Sequence, residues 1–362
     1  MLRAANRRFG SLLKLDHYKD KSLPQFVVGF QNGFLPRQAP LSKLPSEFQA
    51  LEDLLQNMPL TLKSGKPGLL ATGSFGDAVK SLPEYNVNGV TDTRLLTALF
   101  RDYTFAASAY LLEPCDIFYR KKGEYGLGRE TLPRNLAVPL SIVSAKIGAK
   151  PFMEYAQSYS LYNYHLVDNN KGIRYDNLEL IRQFSGMPSE HGFILVHVAM
   201  VAHSGSQIKH TVQALQAVAK DDRAVFNQEM RGLLSTLQAI NRTMDTMWGH
   251  SAPEDYQKFR TFIMGTKSQP MFPNGVVYEG VSDAATFYRG ESGANDSIIP
   301  SADNFLQLAI PSNPLTEILR DFRTYRPSNH NQWLEWLEKE ATMLNVRNYA
   351  LKSSSSGGIY FQ

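Results

Sequence analysis

The chain has 362 residues, 43% of them hydrophobic and 20% charged, a globular balance with room for roughly two domains that excludes disordered and collagen-like classes. Lys+Arg 38 against Asp+Glu 34 leaves a net charge of +4 with no long basic run, which argues against a nucleic-acid partner. No stretch approaches the roughly 18 uninterrupted apolar residues of a membrane helix, and a single cysteine, Cys115, excludes an internal disulfide and fits a reducing, cytoplasmic setting.

The start, MLRAANRRFGSLLKL, carries Arg3, Arg7, Arg8 and Lys14 and no acid before Asp16. It reads as a frayed basic tail, with a mitochondrial presequence as the alternative. QFVVGF, short and closed by glycine, reads as a strand. TDTRLLTALFRDYTFAASAYLLEP reads as a helix capped by Thr91 or Asp92, with a stripe of Leu95, Leu99, Tyr103, Ala106 and Tyr110, stopped by Pro114. A domain boundary is expected near LPRNLAVPL. It separates a 1–30 extension and a 31–130 small domain, richer in proline and turn residues, from a more continuously helical 131–362.

PFMEYAQSYSLYNYHL and HGFILVHVAMVAHSG are long and apolar enough for central helices. Val225 to Met247 repeats helical spacing at Met230, Leu233, Leu237, Ile240, Met244 and Met247, methionines that read as core filler. NGVVYEGV reads as a second strand. SNPLTEILRDFRTYRP reads as a helix capped by Ser312 or Asn313, with Pro314 at its first position and Pro327 at its end. The whole is a mainly helical protein.

The sequence holds no HExxH, paired CxxC, phosphate loop, GxGxxG after a strand or GxSxG elbow. Its histidines are scattered. His197 and His203, six apart, fall on different helix faces and do not pair around a metal. One segment stands out: FRTFIMGTKSQPMFPNGVVYEGVSDAATFYRGESGANDSIIPSADNF. It sets Arg260 in an apolar helical context, ahead of a glycine-rich turn at Gly290, Glu291, Ser292 and Gly293. A charge on an apolar face needs a partner. A ligand carboxylate would meet the guanidinium fork in two places; an internal acid, Asp303 or Asp255, would do so equally well. The chemistry of these residues leaves both open.

At this segment the chain resembles the indoleamine 2,3-dioxygenase family. The likeness begins at GFLPRQAPLSKLPSEF and runs in order through LPRNLAVPL, EYAQSY, GFILVHV, FRTFIMGTKSQPMFPNGVVYEG and the GESGANDS loop to RTYRPSNHNQWL. It implies an all-α fold: a large helical domain holding haem b, covered by a smaller N-terminal domain. It also implies oxidative cleavage of the indole C2–C3 bond of L-tryptophan, or a related indole, by molecular oxygen, giving N-formylkynurenine. The protein would be a monomer with no membrane insertion.

Residue by residue, the resemblance makes Arg260 the group that binds the substrate carboxylate, with Tyr155 and Phe193 lining the indole pocket. Gly290, Glu291 and Ser292 match the loop closing over haem and substrate, although the family commonly has a second glycine where Glu291 stands. Asp303 matches a buried acid of the haem-side helices. His197 stands where many members have serine, on the substrate side of the haem, and an imidazole there would hydrogen-bond the indole N–H or the bound oxygen. Asp255 replaces an aromatic pocket residue of some members.

The family's axial histidine lies on a last helix after a mobile loop, and VRNYALKSSSSGGIYFQ reaches only that loop. The expectation is therefore weak haem binding or none, with His330 as the fallback iron ligand and an apolar groove exposed around Leu233, Leu237, Ile240 and Phe322. Two further readings follow from the departures: a haem-less protein that binds an indole carboxylate, or a haem oxygenase acting on another indole in a biosynthetic pathway.

Overall fold

The computed structural model describes residues 22–352. The basic start and the SSSSGGIYFQ end lie outside the described residues. The fold is mainly helical, as the periodicity indicates. In chain order the principal helices are α1 (Gln49–Gln56), α2 (Thr93–Lys122), α3 (Arg134–Ile147), α4 (Pro188–Val201), α5 (Ser204–Ala219), α6 (Arg223–Asp245), α7 (Pro253–Ile263), α8 (Ile298–Leu306), α9 (Pro314–Arg323), α10 (Ser328–Leu344) and α11 (Val346–Leu351). The strands are β1 (Thr131–Leu132), β2 (Tyr164–Leu166), β3 (Leu178–Leu180), β4 (Val276–Tyr278) and β5 (Ser282–Thr286). β4 lies between β1, to which it is parallel, and β5, to which it is antiparallel; β2 and β3 form an antiparallel pair. No helix among the described residues is long and apolar enough to cross a membrane.

The described residues form two compact units. One comprises Gln38–His197 and Met247–Gly293. Its centre is α2, buried on nearly every face from Leu96 to Ala109, so the expected stripe is too narrow. Asp92 caps it, accepting hydrogen bonds from the N–H groups of Arg94 (2.7 Å) and Leu95 (3.1 Å). Pro114 does not stop it. Proline cannot donate to the carbonyl of Tyr110 one turn back, and the Arg129 guanidinium supplies that donor instead. Glu113 holds Arg129 at 2.6 Å and accepts the N–H groups of Phe75 (2.8 Å) and Gly76 (2.9 Å). The helix runs on to Gly123, whose φ of +77° closes it in the left-handed region.

PFMEYAQSYSLYNYHL is not a helix. It makes a single π-helical turn, Tyr155–Tyr159, and then β2. Glu154 caps the turn by accepting the N–H groups of Ala156 (2.9 Å) and Gln157, while Ser158 Oγ donates to the Glu154 carbonyl at 2.7 Å. Local side-chain bonds of this kind compete with helical ones.

The other unit comprises the described residues up to Arg37, Val198–Thr246 and those from Ala294 on. Here α5 packs along α6, and α8 packs on α10, where Trp333 Nε1 donates to Ser301 Oγ at 3.0 Å. QFVVGF joins no ladder. The Val28 N–H is taken by Asn329 Oδ1 at 2.7 Å, and Gly29 and Gly33 form only an isolated bridge. Asn313 caps α9 in a full capping box with Thr316, and Pro314 stands at its first turn as expected. That helix ends at Arg323, so Pro327 instead caps the start of α10. Met230, Leu233 and Ile240 of α6 are buried, so the first of the expected groove residues and Ile240 are interior rather than exposed.

Candidate active site

Two helices of the first unit set the site. The α4 stretch places Phe193 and His197 four residues apart, hence on one face; α7 does the same with Tyr256 and Arg260. Their rings form a continuous cluster. Phe193 lies 5.3 Å from His197, 5.4 Å from Tyr256 and 5.6 Å from Phe259, and Tyr155 meets His197 edge-on at 5.8 Å. Arg260 lies over the Tyr256 ring at 5.9 Å, a cation–π distance. The structure thus brings together four residues singled out in the sequence: Tyr155, Phe193, His197 and Arg260.

The helices are held in place by polar ties at their starts. Ser189 in the first turn of α4 donates to Asp255 Oδ2 at 2.7 Å and accepts the Ala252 N–H at 3.2 Å, while Lys258 takes Asp255 Oδ1 at 2.7 Å. Asp255 is therefore occupied, and as the internal partner of Arg260 it is excluded. Glu190 accepts the N–H groups of Phe184 (2.9 Å) and Ser185 (2.6 Å), and the Tyr159 hydroxyl donates to it at 3.3 Å. That acid ties the start of α4 to the end of the π-helical turn.

His197 has a fixed tautomer. Nδ1–H donates to the Phe193 carbonyl at 2.7 Å, which leaves the lone pair on Nε2. Burial pushes its pKa down, against the pull of that carbonyl, so the ring is neutral at neutral pH. Nε2 points towards Gly293, where a Cβ would stand 3.4 Å from it.

The glycine-rich loop is stitched to the end of α7. The Thr266 and Lys267 N–H groups donate to the Tyr288 carbonyl at 2.8 and 2.9 Å, and the Glu291 N–H donates to the Ile263 carbonyl at 3.1 Å. Gly265 and Gly290 make this approach possible, since a Cβ on Gly290 would lie 2.3 Å from both Gly265 N and Ile263 O. The loop carries Glu291 into the interior, 6% exposed, with Oε1 unpartnered. Burial pushes its carboxyl up to about 7 despite the opposing charge of Arg260. Glu154 and Tyr256 also feel its charge. Ser292, next in the loop, is half-buried.

Arg260 itself is half-buried, and among the described residues it makes no hydrogen bond or ion pair. Sequence reasoning missed Tyr256, Glu154 and Glu190. Tyr256 was recoverable from its four-residue spacing to Arg260; the two acids carried no local signal.

Haem needs an axial ligand, conventionally an imidazole nitrogen. His330 sits in the second unit, 2% exposed, with Nδ1 3.2 Å from Ser297 Oγ and Nε2 unpartnered. Its ring is wedged edge-on between Phe26 (5.7 Å) and Phe34 (5.2 Å), and burial together with Arg326 pushes its pKa down to about 3. It is a packed core imidazole, not an open ligand. His203 and His210 are engaged by Thr243 (3.2 Å) and Glu229 (2.8 Å), and His250 stacks on Tyr175 at 3.8 Å. Packing or a polar partner thus engages each of these four imidazoles. Asp303 is half-buried, and burial raises its carboxyl against the charge of Arg323.

A sequence profile described as indoleamine 2,3-dioxygenase matches residues 22–359. Mouse indoleamine 2,3-dioxygenase 1 is 27% identical over 327 residues, covering 89% of this chain and 73% of that protein. Human indoleamine 2,3-dioxygenase 2 is 32% identical over 225 residues, 62% of this chain and 54% of that protein. A Fusarium equiseti protein named 6-hydroxytryptophan 2,3-dioxygenase is 24% identical over 322 residues, 88% of this chain and 74% of that protein.

Proposed function

Because the chain belongs to the indoleamine 2,3-dioxygenase family, we propose that it binds an indole amino acid, tryptophan or a ring-substituted relative, for oxidative opening of the indole C2–C3 bond by dioxygen. The observation that carries this reading is the pairing of Arg260 and His197 at two ends of one aromatic cluster, Tyr256–Phe193–His197. An indole ring stacks among Tyr155, Phe193 and Tyr256; its N–H donates to His197 Nε2; its carboxylate takes the Arg260 fork. The neutral imidazole is an acceptor throughout, so it orients the ring without competing for the carboxylate. Phe259, Phe262 and Tyr155 are essentially inaccessible to water and keep the bound ring dry. Haem, which the family likeness implies, would supply the oxygen chemistry.

Titration calorimetry of the purified protein with tryptophan tests the binding, and oxygen uptake with formation of the ring-opened formyl product tests the reaction. Arg260→Ala is expected to weaken tryptophan binding by about 2 kcal/mol, roughly 30-fold, the loss of a charge-assisted pair at a half-buried site. Equal affinity in the variant would remove Arg260 from the site.

A further inference from the structure

Arg260 lies within electrostatic reach of Glu291 without pairing with it. Arg260 is close enough for its charge to pull the Glu291 carboxyl downward, yet the two make no ion pair within 4.0 Å, and neither side chain has a hydrogen bond among the described residues. Glu291 is 6% exposed and its Oε1 is unpartnered. A buried carboxylate in that state is costly unless something charged or donating meets it. The loop spends two close glycine contacts and the Glu291 N–H bond to Ile263 to hold the acid there. A built-in cation and a built-in acid within its electrostatic reach, left unpaired with each other, match the two ends of a zwitterion.

Resting on the indole-amino-acid reading above, we propose that Glu291 is a specificity-determining residue that binds the α-ammonium group of the substrate while Arg260 holds its carboxylate. The site then selects free amino acids over N-acylated or deaminated indole acids. The ammonium donates to the unpartnered Glu291 oxygen, and the aromatic cluster fixes the ring. Tyr256 alone could not make this choice, since its ring accepts any indole. Among the described residues, the charged and titratable groups within electrostatic reach of Glu291 are Arg260 and Tyr256 of α7, and Glu154 and Tyr159 at the two ends of the π-helical turn. Of these only Arg260 favours its ionised form. Its carboxyl near 7 makes ammonium binding strongest above neutrality.

The test compares tryptophan with indole-3-propionate, which keeps the ring and carboxylate and lacks the amine, by calorimetry on wild type and Glu291→Gln, a nearly isosteric change. Thermal unfolding confirms that the variant is folded. Wild type at pH 8 is expected to prefer tryptophan by roughly tenfold or more, and the preference is expected to shrink at pH 6. Glu291→Gln is expected to bring the two ligands together at both pH values, through loss of tryptophan affinity. A variant that keeps the wild-type ratio, or loses both ligands equally, overturns the proposal alone. Should wild type bind neither ligand, the indole-amino-acid reading falls and this proposal with it. If the variant does not fold, the wild-type ratio decides: one that does not change between pH 6 and 8 refutes the role of the acid.

Discussion

Arg182→Met is a demanding test of the scaffold beneath the site. Arg182 lies in the same unit, just after β3, and is 3% exposed. Its guanidinium donates to Glu52 at 3.0 and 2.6 Å and to Asp102 at 3.0 and 2.8 Å. Arg101 meets Asp102 as well, at 2.7 Å. The Arg182 backbone joins the node to the site: its N–H donates to Asn163 Oδ1 at 2.8 Å, and Asn163 Nδ2 donates to the carbonyl of Tyr159, the end of the π-helical turn, at 3.0 Å. Methionine matches the length of the side chain but removes the charge. Asp102 then keeps Arg101, whereas Glu52 keeps only the neutral donors Leu44 N–H (3.1 Å) and Gln56 (2.9 Å). Stranding a buried charge costs about 3–5 kcal/mol, and the surviving Arg101 contact puts the expectation near the lower bound, about 3 kcal/mol. For a unit of this size that lowers the melting temperature by roughly 6–12 °C. The pH dependence is specific. Burial works to raise the Glu52 and Asp102 carboxyls, but Arg182, with Arg101 on Asp102, holds both below their ordinary values of 4.5 and 3.8. Their contribution is therefore present above those values and is lost as pH falls through the depressed folded values. Urea unfolding at pH 7 and pH 4 should show the deficit of the variant shrinking at the lower pH. A deficit under about 1 kcal/mol at pH 7, or one of equal size at both, would refute the reasoning.

His197→Ser should leave the fold intact and reduce the penalty for methylating the indole nitrogen, because the lost Nε2 acceptor is what an N–H distinguishes from N–CH3; paired titrations with tryptophan and 1-methyltryptophan measure it. Gly290→Ala would press its Cβ to 2.3 Å from Gly265 N and Ile263 O, and a loss of about 1–3 kcal/mol in stability is expected together with weaker ligand binding, read by thermal unfolding and calorimetry. Glu154 is fully buried, and burial pushes its carboxyl up to about 8 against the N–H groups of Ala156 and Gln157. Since this folded value exceeds the unfolded 4.5, the folded state holds the extra proton between them, and stability falls as pH rises through that window. Glu154→Gln should flatten that decline, by on the order of a few kcal/mol between pH 5 and pH 9 in urea unfolding.

The sequence by itself determined the helical class, narrowed two caps to neighbouring pairs, from which the fold takes Asp92 and Asn313, and placed Met230, Leu233 and Ile240 of α6 in the core, because capping and periodicity are written in residues a few places apart. It also determined the family, whose motifs keep their order along the chain. Only the tertiary structure decided that α2 passes through Pro114, because the donor that replaces the missing N–H bond comes from Arg129, fifteen residues downstream. The same holds for EYAQSY, where burial on all sides and the Glu154 cap override helical length, and for QFVVGF, whose backbone bonds to Asn329 instead of a neighbouring strand. The partner of Arg260 was open in the sequence between a ligand and an internal acid. Folding assigns Asp255 to Ser189 and Lys258, and leaves Glu291 within electrostatic reach of Arg260 without joining them. Charges 31 residues apart come within electrostatic reach only when a loop closes on two glycines, and no local pattern encodes that distance.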